Sequence, residues 1–201
     1  MIKRELYMNR IRPFIGGELI KVMTGIRRSG KSVMLELIKE ELAEAGVAPS
    51  QMISINFEDM RYSHLQTATA LHDEIIKRAE GIEGKAYLFF DEIQEVEGWE
   101  KCVNSLRVAL DCDIYITGSN AKLLSGELAT YIGGRYVEFV IYPFSFAEFL
   151  ELYHTIAPSD SIQQCFQKYL LAGGMPYLAN LRYEEEPSRQ YLTDLFNSVQ
   201  L

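Results

Sequence analysis

The eight residues "GIRRSGKS", Gly25 to Ser32, constrain this chain more than any other stretch, because they stand between a strand pattern and a helix pattern. They fit G-x-x-x-x-G-K-[ST], in which glycines let the backbone fold so tightly that successive amides point at phosphate oxygens. "LIKVMTG" enters the loop as an apolar strand. "KSVMLELIKEELAEAG" leaves it as a helix, with Val33, Met34, Leu37, Ile38, Leu42 and Ala45 at helical spacing and Gly46 as its stop. That helix aims the positive end of its dipole at the same point. Gly25, Ile26, Arg27, Arg28, Ser29, Gly30, Lys31, Ser32 and Val33 are therefore expected to bind nucleotide, with Lys31 neutralising the β and γ phosphates of ATP and the Ser32 hydroxyl ligating Mg2+. Arg27 and Arg28 are not required by that chemistry. Either they are solvated charge supporting an anionic site, or they contact a partner domain, a neighbouring subunit or a nucleic-acid phosphate.

The strand-helix rhythm continues beyond the loop. "MISINF", "AYLFFDE", "DIYITGS" and "YVEFVIY" read as further strands, and "ATALHDEIIKRAEG" and "GWEKCVNSLRVAL" as the helices between them. Runs without polar alternation predict a parallel sheet buried on both faces, here an α/β fold with helices on both sides over roughly residues 15–142. After Pro143 the pattern changes to three helices, "PFSFAEFLELY", "SIQQCFQKYLLAGG" and "PSRQYLTDLFNSVQL", a small helical appendage. The expected division is thus a core over 1–143 and a helical segment over 144–201. Leu192, Leu195, Phe196 and Val199 are still in helical period where the chain stops at Leu201, the pattern expected of a fragment of a longer protein.

Composition narrows the function classes. A chain of 201 residues that is 48% hydrophobic and 24% charged can bury one substantial core. No run reaches the roughly 18 apolar residues of a membrane span, and "MIKRELYMNR" lacks the pattern of a signal peptide, so a cytoplasmic protein without a membrane partner is expected. Cys102, Cys112 and Cys165 lack metal or redox spacing and are expected to be small apolar residues. The net charge of -8 opposes nucleic acid as a partner. Eight basic residues against Glu5 and Glu18 up to residue 35 leave +6 there and -14 over the remainder, the distribution expected of a phosphate-binding face, with a dedicated nucleic-acid arm as the alternative.

A second acidic site separates hydrolysis from simple binding. "YLFFDEIQ" places Asp91 at the carboxyl end of a buried strand, where it can hold Mg2+ directly or through water. Glu92, one residue on, suits a general base for the water that attacks the γ-phosphate. At the end of the next strand, "YITGSN", Ser119 is the first choice for a polar contact to that phosphate or water, with Thr117 or Asn120 as second choices. Arg135 in "YIGGRYVEF" reads either as an arginine presented to a γ-phosphate or as a surface salt bridge.

"GIRRSGKS", "INFEDMR", "FFDEIQEVEGWE", "ITGSNAKLLSGELATYIGGRYVEFVIYPFSFAEF" and "AGGMPYL", in that order, resemble the bacterial and archaeal AAA-type ATP-binding proteins. In these relatives of archaeal-type and STAND ATPases, an N-terminal ATPase domain precedes a poorly characterised C-terminal domain. The resemblance implies a P-loop NTPase fold of the ASCE type, a five-stranded parallel sheet in the order 5-1-4-3-2. It also implies that Arg135 is an arginine finger or γ-phosphate sensor, acting in cis or from a neighbouring copy in a homo-oligomer. "GMP", Gly174 to Pro176, is similar to the element that approaches the adenine, although by its residues alone Pro176 reads as a turn that ends a helix. DNA is a candidate partner by analogy of fold.

The expected activity is Mg-ATP hydrolysis coupled to conformational change in a larger protein. Two alternatives stand beside it: a nucleotide-dependent switch or scaffold with negligible turnover, and a phosphotransferase, for which no separate acceptor pocket is visible.

Overall fold

Five short apolar runs become the strands β1 (Ile20–Thr24), β2 (Met52–Asn56), β3 (Ala86–Asp91), β4 (Cys112–Thr117) and β5 (Tyr136–Val140) of a computed structural model that describes residues 2–118 and 132–200. Every neighbouring pair is parallel, and the order β2-β3-β4-β1-β5 is the expected 5-1-4-3-2 read from the other edge. Because side chains alternate across a strand, one sheet faces two cores. Ile20, Val22, Leu88, Phe90, Ile114 and Ile116 pack with residues of α3 (Ala68–Ala79) and α4 (Trp99–Ala109). Met23, Phe89, Tyr115 and Phe139 pack on the opposite face with α1 (Glu5–Ile11) and α2 (Lys31–Glu44).

Two expectations need correction. Burial on both faces fails at β2, where Ile53 and Ile55 are buried but Ser54 and Asn56 are exposed, because β2 is an edge strand. Counting all eight basic residues up to residue 35 toward one phosphate-binding face fails as well. Arg12 is spanned by Glu5 and Glu41, Lys21 is buried against Asp113, and Arg4 is buried against Glu148, so these charges are neutralised one by one. Helix α1 was not foreseen; it buries Tyr7, Met8 and Ile11 along one side. The three cysteines are free and buried, and burial pushes the Cys102 thiol up to about 12 and that of Cys112 to about 11.

The described chain divides into two compact units. The sheet unit holds Glu5–Gly25 and Lys31–Ile141. The helical unit holds the chain from Tyr142 onward, together with the residues up to Arg4 and the loop apex Ile26–Gly30. Arg4 ties the three segments of the helical unit together. Its guanidinium, 2% exposed, donates to the Ser29 carbonyl at 2.9 Å, the Glu148 carboxylate at 2.8 Å and the Tyr142 carbonyl at 2.8 Å.

Within this unit α5 (Phe146–Tyr153) opens on a capping box, with Glu148 accepting from the Ser145 amide at 2.8 Å. Burial raises the Glu148 pKa, but Arg4 and the Ser145 amide outweigh burial and hold the carboxyl below its usual range. Helices α6 (Ile162–Ala172) and α7 (Glu185–Gln200) complete the unit around Phe149, Tyr153, Cys165, Leu178 and Tyr183.

Candidate active site

In a parallel sheet the carboxyl ends of the strands lie along one edge, and three of them bring the predicted chemistry together. β1 ends at Thr24, and Gly25 then turns the chain at φ 141, a conformation that favours glycine. Lys31 begins α2, is 4% exposed, and donates its Nζ to the Gly25 carbonyl at 3.3 Å. The first turn of α2 carries no acidic side chain of its own.

β3 delivers Asp91, 6% exposed, to the same edge. Its Oδ1 accepts from the Thr117 hydroxyl, its Oδ2 accepts from Asn56 Nδ2 at 3.2 Å, and Ser32 bonds it as well. Burial pushes the Asp91 pKa up, with the Thr117 and Ser32 hydroxyls opposing it. The donors gathered here are hydroxyl and carboxylate oxygens, hard ligands that suit Mg2+. Among the described residues no group of three or more His, Cys, Asp or Glu offers an all-protein metal cage. One or two protein ligands beside substrate phosphates is the arrangement Mg2+ ordinarily takes, so the residues present fit it.

Glu92 leaves the strand in the left-handed region, φ 55 and ψ 49, a strained conformation for a residue with a side chain. Three contacts hold it. Its amide donates to Thr117 Oγ1 at 2.9 Å, its Oε2 accepts from Gln94 Nε2 at 2.6 Å, and its Oε1 lies 3.5 Å from Lys31 Nζ. The Thr117 hydroxyl accepts from Glu92 while donating to Asp91, so one side chain at the end of β4 fixes both acidic residues.

Of the polar choices at that strand end, Thr117 therefore takes the contact with the acidic pair, whereas Ser119 and Asn120 lie outside the described residues. Arg135 is not brought to this edge. It precedes β5, its carbonyl accepts from Ile20 at the start of β1, and its Nη1 donates to Asn104 of α4 at 2.9 Å. Ile20↔Tyr136 and Thr24↔Val140 lie four residue steps apart, about 13 Å of strand, so Arg135 stands at the opposite end of the strands from the acidic pair.

In the helical unit, Ser29 donates to the Ile26 carbonyl at 3.2 Å, Arg28 adopts φ 65, and Gly30 adopts φ 101, where an added Cβ would come within 3.3 Å of Arg4. The Arg28 guanidinium lies over the Tyr191 ring at 5.8 Å, and Arg27 and Arg28 line a cleft of about 210 Å3 with Tyr191, Asp194 and Ser198. Pro176 begins a single turn, and Phe144 donates to the Gly174 carbonyl just before it at 2.7 Å.

Sequence reasoning missed Asn56 and Gln94. Asn56 carried a signal, a polar residue at the end of the strand adjacent to β3, which becomes legible only with the strand order known.

A family profile described as AAA domain matches residues 18–150, well over half of the chain. The chain belongs to the AAA domain family. This AAA domain is 41% identical over 202 residues to an uncharacterized protein of Haemophilus influenzae, covering 100% of the chain and 50% of that protein. It is 34% identical over 189 residues to uncharacterized protein MJ1544 of Methanocaldococcus jannaschii, covering 88% of the chain and 41% of that protein. The chain thus spans half or less of these curated relatives.

Among solved structures it shares its fold with the Aeropyrum pernix ORC1 protein in complex with DNA, at TM-score 0.52 and 16% identity over 99% of this chain and 66% of that one. C. elegans PCH-2 matches at TM-score 0.53 and 13% identity over 78% and 47%. Family and fold make this a nucleotide-binding, ATPase-type domain. None of its described helices is long and apolar enough to cross a membrane.

The raised pKa of Asp91 carries a prediction. A carboxyl with a higher pKa folded than unfolded ionises first in the unfolded chain, so its burial costs stability from about the unfolded value upward and nothing well below it. Asp91→Asn is expected to raise the melting temperature of the nucleotide-free domain at neutral pH, less as pH falls toward the carboxylate range, while removing the Mg2+-dependent part of ATP binding. Thermal unfolding at several pH values, with and without Mg-ATP, measures both.

Proposed function

We propose that this AAA domain binds Mg-ATP and hydrolyses it, and that the change of nucleotide state moves another part of a longer protein. The observation that carries the reading is the convergence of Lys31, Ser32, Asp91, Glu92 and Thr117 at the carboxyl ends of β1, β3 and β4. Lys31 and the start of α2 would hold the phosphates. Ser32 and Asp91 would hold Mg2+, which when bound neutralises charge on the β and γ phosphates. Glu92 takes a proton from water as its oxygen bonds to the γ-phosphorus and the bond to the ADP oxygen breaks. Pro176 would approach the adenine, as the resemblance of "GMP" implies.

Arg135, exposed at the far edge, fits a role toward the nucleotide of a neighbouring copy, which makes a homo-oligomer the expected working form. DNA is bound by the ORC1 protein in its own complex. For this chain the net charge of -8 and the pairing of Arg4, Arg12 and Lys21 weigh against it. A cytoplasmic site of action and a C-terminal partner domain accompany this reading.

Phosphate release and nucleotide titration test it together. Lys31→Ala is expected to weaken ATP and ADP binding roughly 10- to 100-fold, the value of one charge-assisted contact, and to stop turnover. Unchanged affinity in that variant would remove the phosphate-binding assignment.

A further inference from the structure

Glu92 is the strained residue at this site, and the turn that follows it carries a side chain the proposed chemistry has not used. Ile93–Glu95 form a single tight turn anchored by the fully buried Ile93, and the left-handed Glu92 sends the chain back so that Gln94 reaches the Glu92 carboxylate at 2.6 Å. A carboxylate of a flexible side chain is placed by its donors. Here these are Lys31 on one oxygen and Gln94 on the other. Lys31 is needed by the phosphates, so when nucleotide is bound Gln94 remains as the donor that keeps the base in place.

The other end of the same amide is equally informative. Gln94 Oε1 is buried and accepts no hydrogen bond from any described residue. A buried acceptor without a donor is costly, and its natural partner is a molecule brought to the site. The water that Glu92 deprotonates has a second hydrogen, and the Gln94 amide oxygen shares its carbon with the nitrogen that bonds the base. Orientation of the attacking water by a glutamine is established chemistry in nucleotide hydrolysis.

We propose that Gln94 is a positioning residue for hydrolysis: its Nε2 fixes the Glu92 carboxylate and its Oε1 accepts the second hydrogen of the attacking water. This rests on the assignment of Glu92 as base. No covalent bond of Gln94 is made or broken; the proton goes to Glu92, the water oxygen bonds to the γ-phosphorus, and the bond from phosphorus to the ADP oxygen breaks with its electron pair leaving on ADP.

Gln94→Met keeps the length of the side chain without its polar atoms, and Gln94→Glu keeps an oxygen but sets a second carboxylate against Glu92. With the 201-residue chain and Mg-ATP, Gln94→Met is expected to lower kcat about 10- to 100-fold with KM and ADP affinity within about 3-fold, because orientation matters only in the transition state. Gln94→Glu is expected to be at least as slow. Adding Gln94→Met to Glu92→Gln is expected to cost less than about 2-fold more, since the two act as one unit.

A parental kcat in Gln94→Met overturns the proposal. So does a loss confined to KM and ADP affinity, or a full further loss on top of Glu92→Gln, either of which marks a packing role. Parental turnover in the Glu92→Gln single variant removes the base assignment and this inference with it. An inactive Glu92→Gln beside a fully active Gln94→Met removes this inference alone.

Discussion

Glu92→Gln is expected to bind Mg-ATP within about 3-fold of the parent and to hydrolyse it about 100- to 10,000-fold more slowly, the range that a positioned general base contributes. The substitution is close to isosteric. It leaves the backbone amide of residue 92 on Thr117 and the left-handed turn before Ile93, because both are backbone features, so the scaffold around Asp91 is retained. What it removes is the carboxylate that stands 3.5 Å from Lys31 and accepts from Gln94. Losing that negative charge also removes competition with the phosphates for Lys31, so any change in nucleotide affinity is expected toward tighter binding. Phosphate release under saturating ATP, paired with equilibrium binding of ATP, separates the two quantities. Parental turnover would remove Glu92 as base, and lost binding would show that the variant disturbs the site itself.

Asp113→Ala is expected to destabilise the chain by about 3–5 kcal/mol, the cost of leaving one member of a buried ion pair alone. Lys21 and Asp113 are both 0% exposed, in the middle of the sheet unit. Lys21 Nζ meets Asp113 and donates to the Gly17 carbonyl at 3.1 Å. Asp113 Oδ2 accepts from the Tyr115 hydroxyl at 2.7 Å and from the Gly16 amide at 2.6 Å. Every charge is met, which is why the cluster is tolerated. Burial holds the Lys21 pKa below its ordinary value against the pull of Asp113. A depressed ammonium pKa means that the unfolded chain binds more protons between the folded value and 10.5, so in that alkaline window the contribution of Lys21 to stability rises with pH.

In Asp113→Ala the restraining charge is gone, the pKa of Lys21 falls further, and the Gly16 amide and Tyr115 hydroxyl lose their acceptor. Lys21→Met is expected to cost less, since Asp113 keeps two donors. Lys21→Met combined with Asp113→Leu is expected to recover much of the loss, because an apolar pair has no charge to desolvate. Denaturant unfolding at neutral pH of the parent, Lys21→Met, Asp113→Leu and the double variant measures the coupling, and additive losses would show that the pair does not act as a unit.

Most of the architecture was legible because it rests on local patterns. All five strands and the helices after each loop stand where apolar runs and helical periods put them. Helix α1 escaped because seven residues with charges at Glu5 and Arg10 make too short a period to read. Lys21 was counted with a basic face because a lysine inside "LIKVMTG" offers no sign of the aspartate that neutralises it. Thr117 closes β4, and only the pairing of β4 with β3 shows that its hydroxyl meets Asp91 and Glu92.

From residue order alone come the phosphate loop, the helix that starts at its lysine, and an acidic pair at the end of a buried strand. Each depends on neighbours within a few positions, and on backbone rules that hold in any fold. Tertiary structure alone decided the partners: Arg4 with Glu148 across 144 residues, Lys21 with Asp113 across 92, and Thr117 with Asp91 across 26. Those choices follow from strand order, register and burial, because a charge removed from water must find its counterpart wherever the folded chain has placed it.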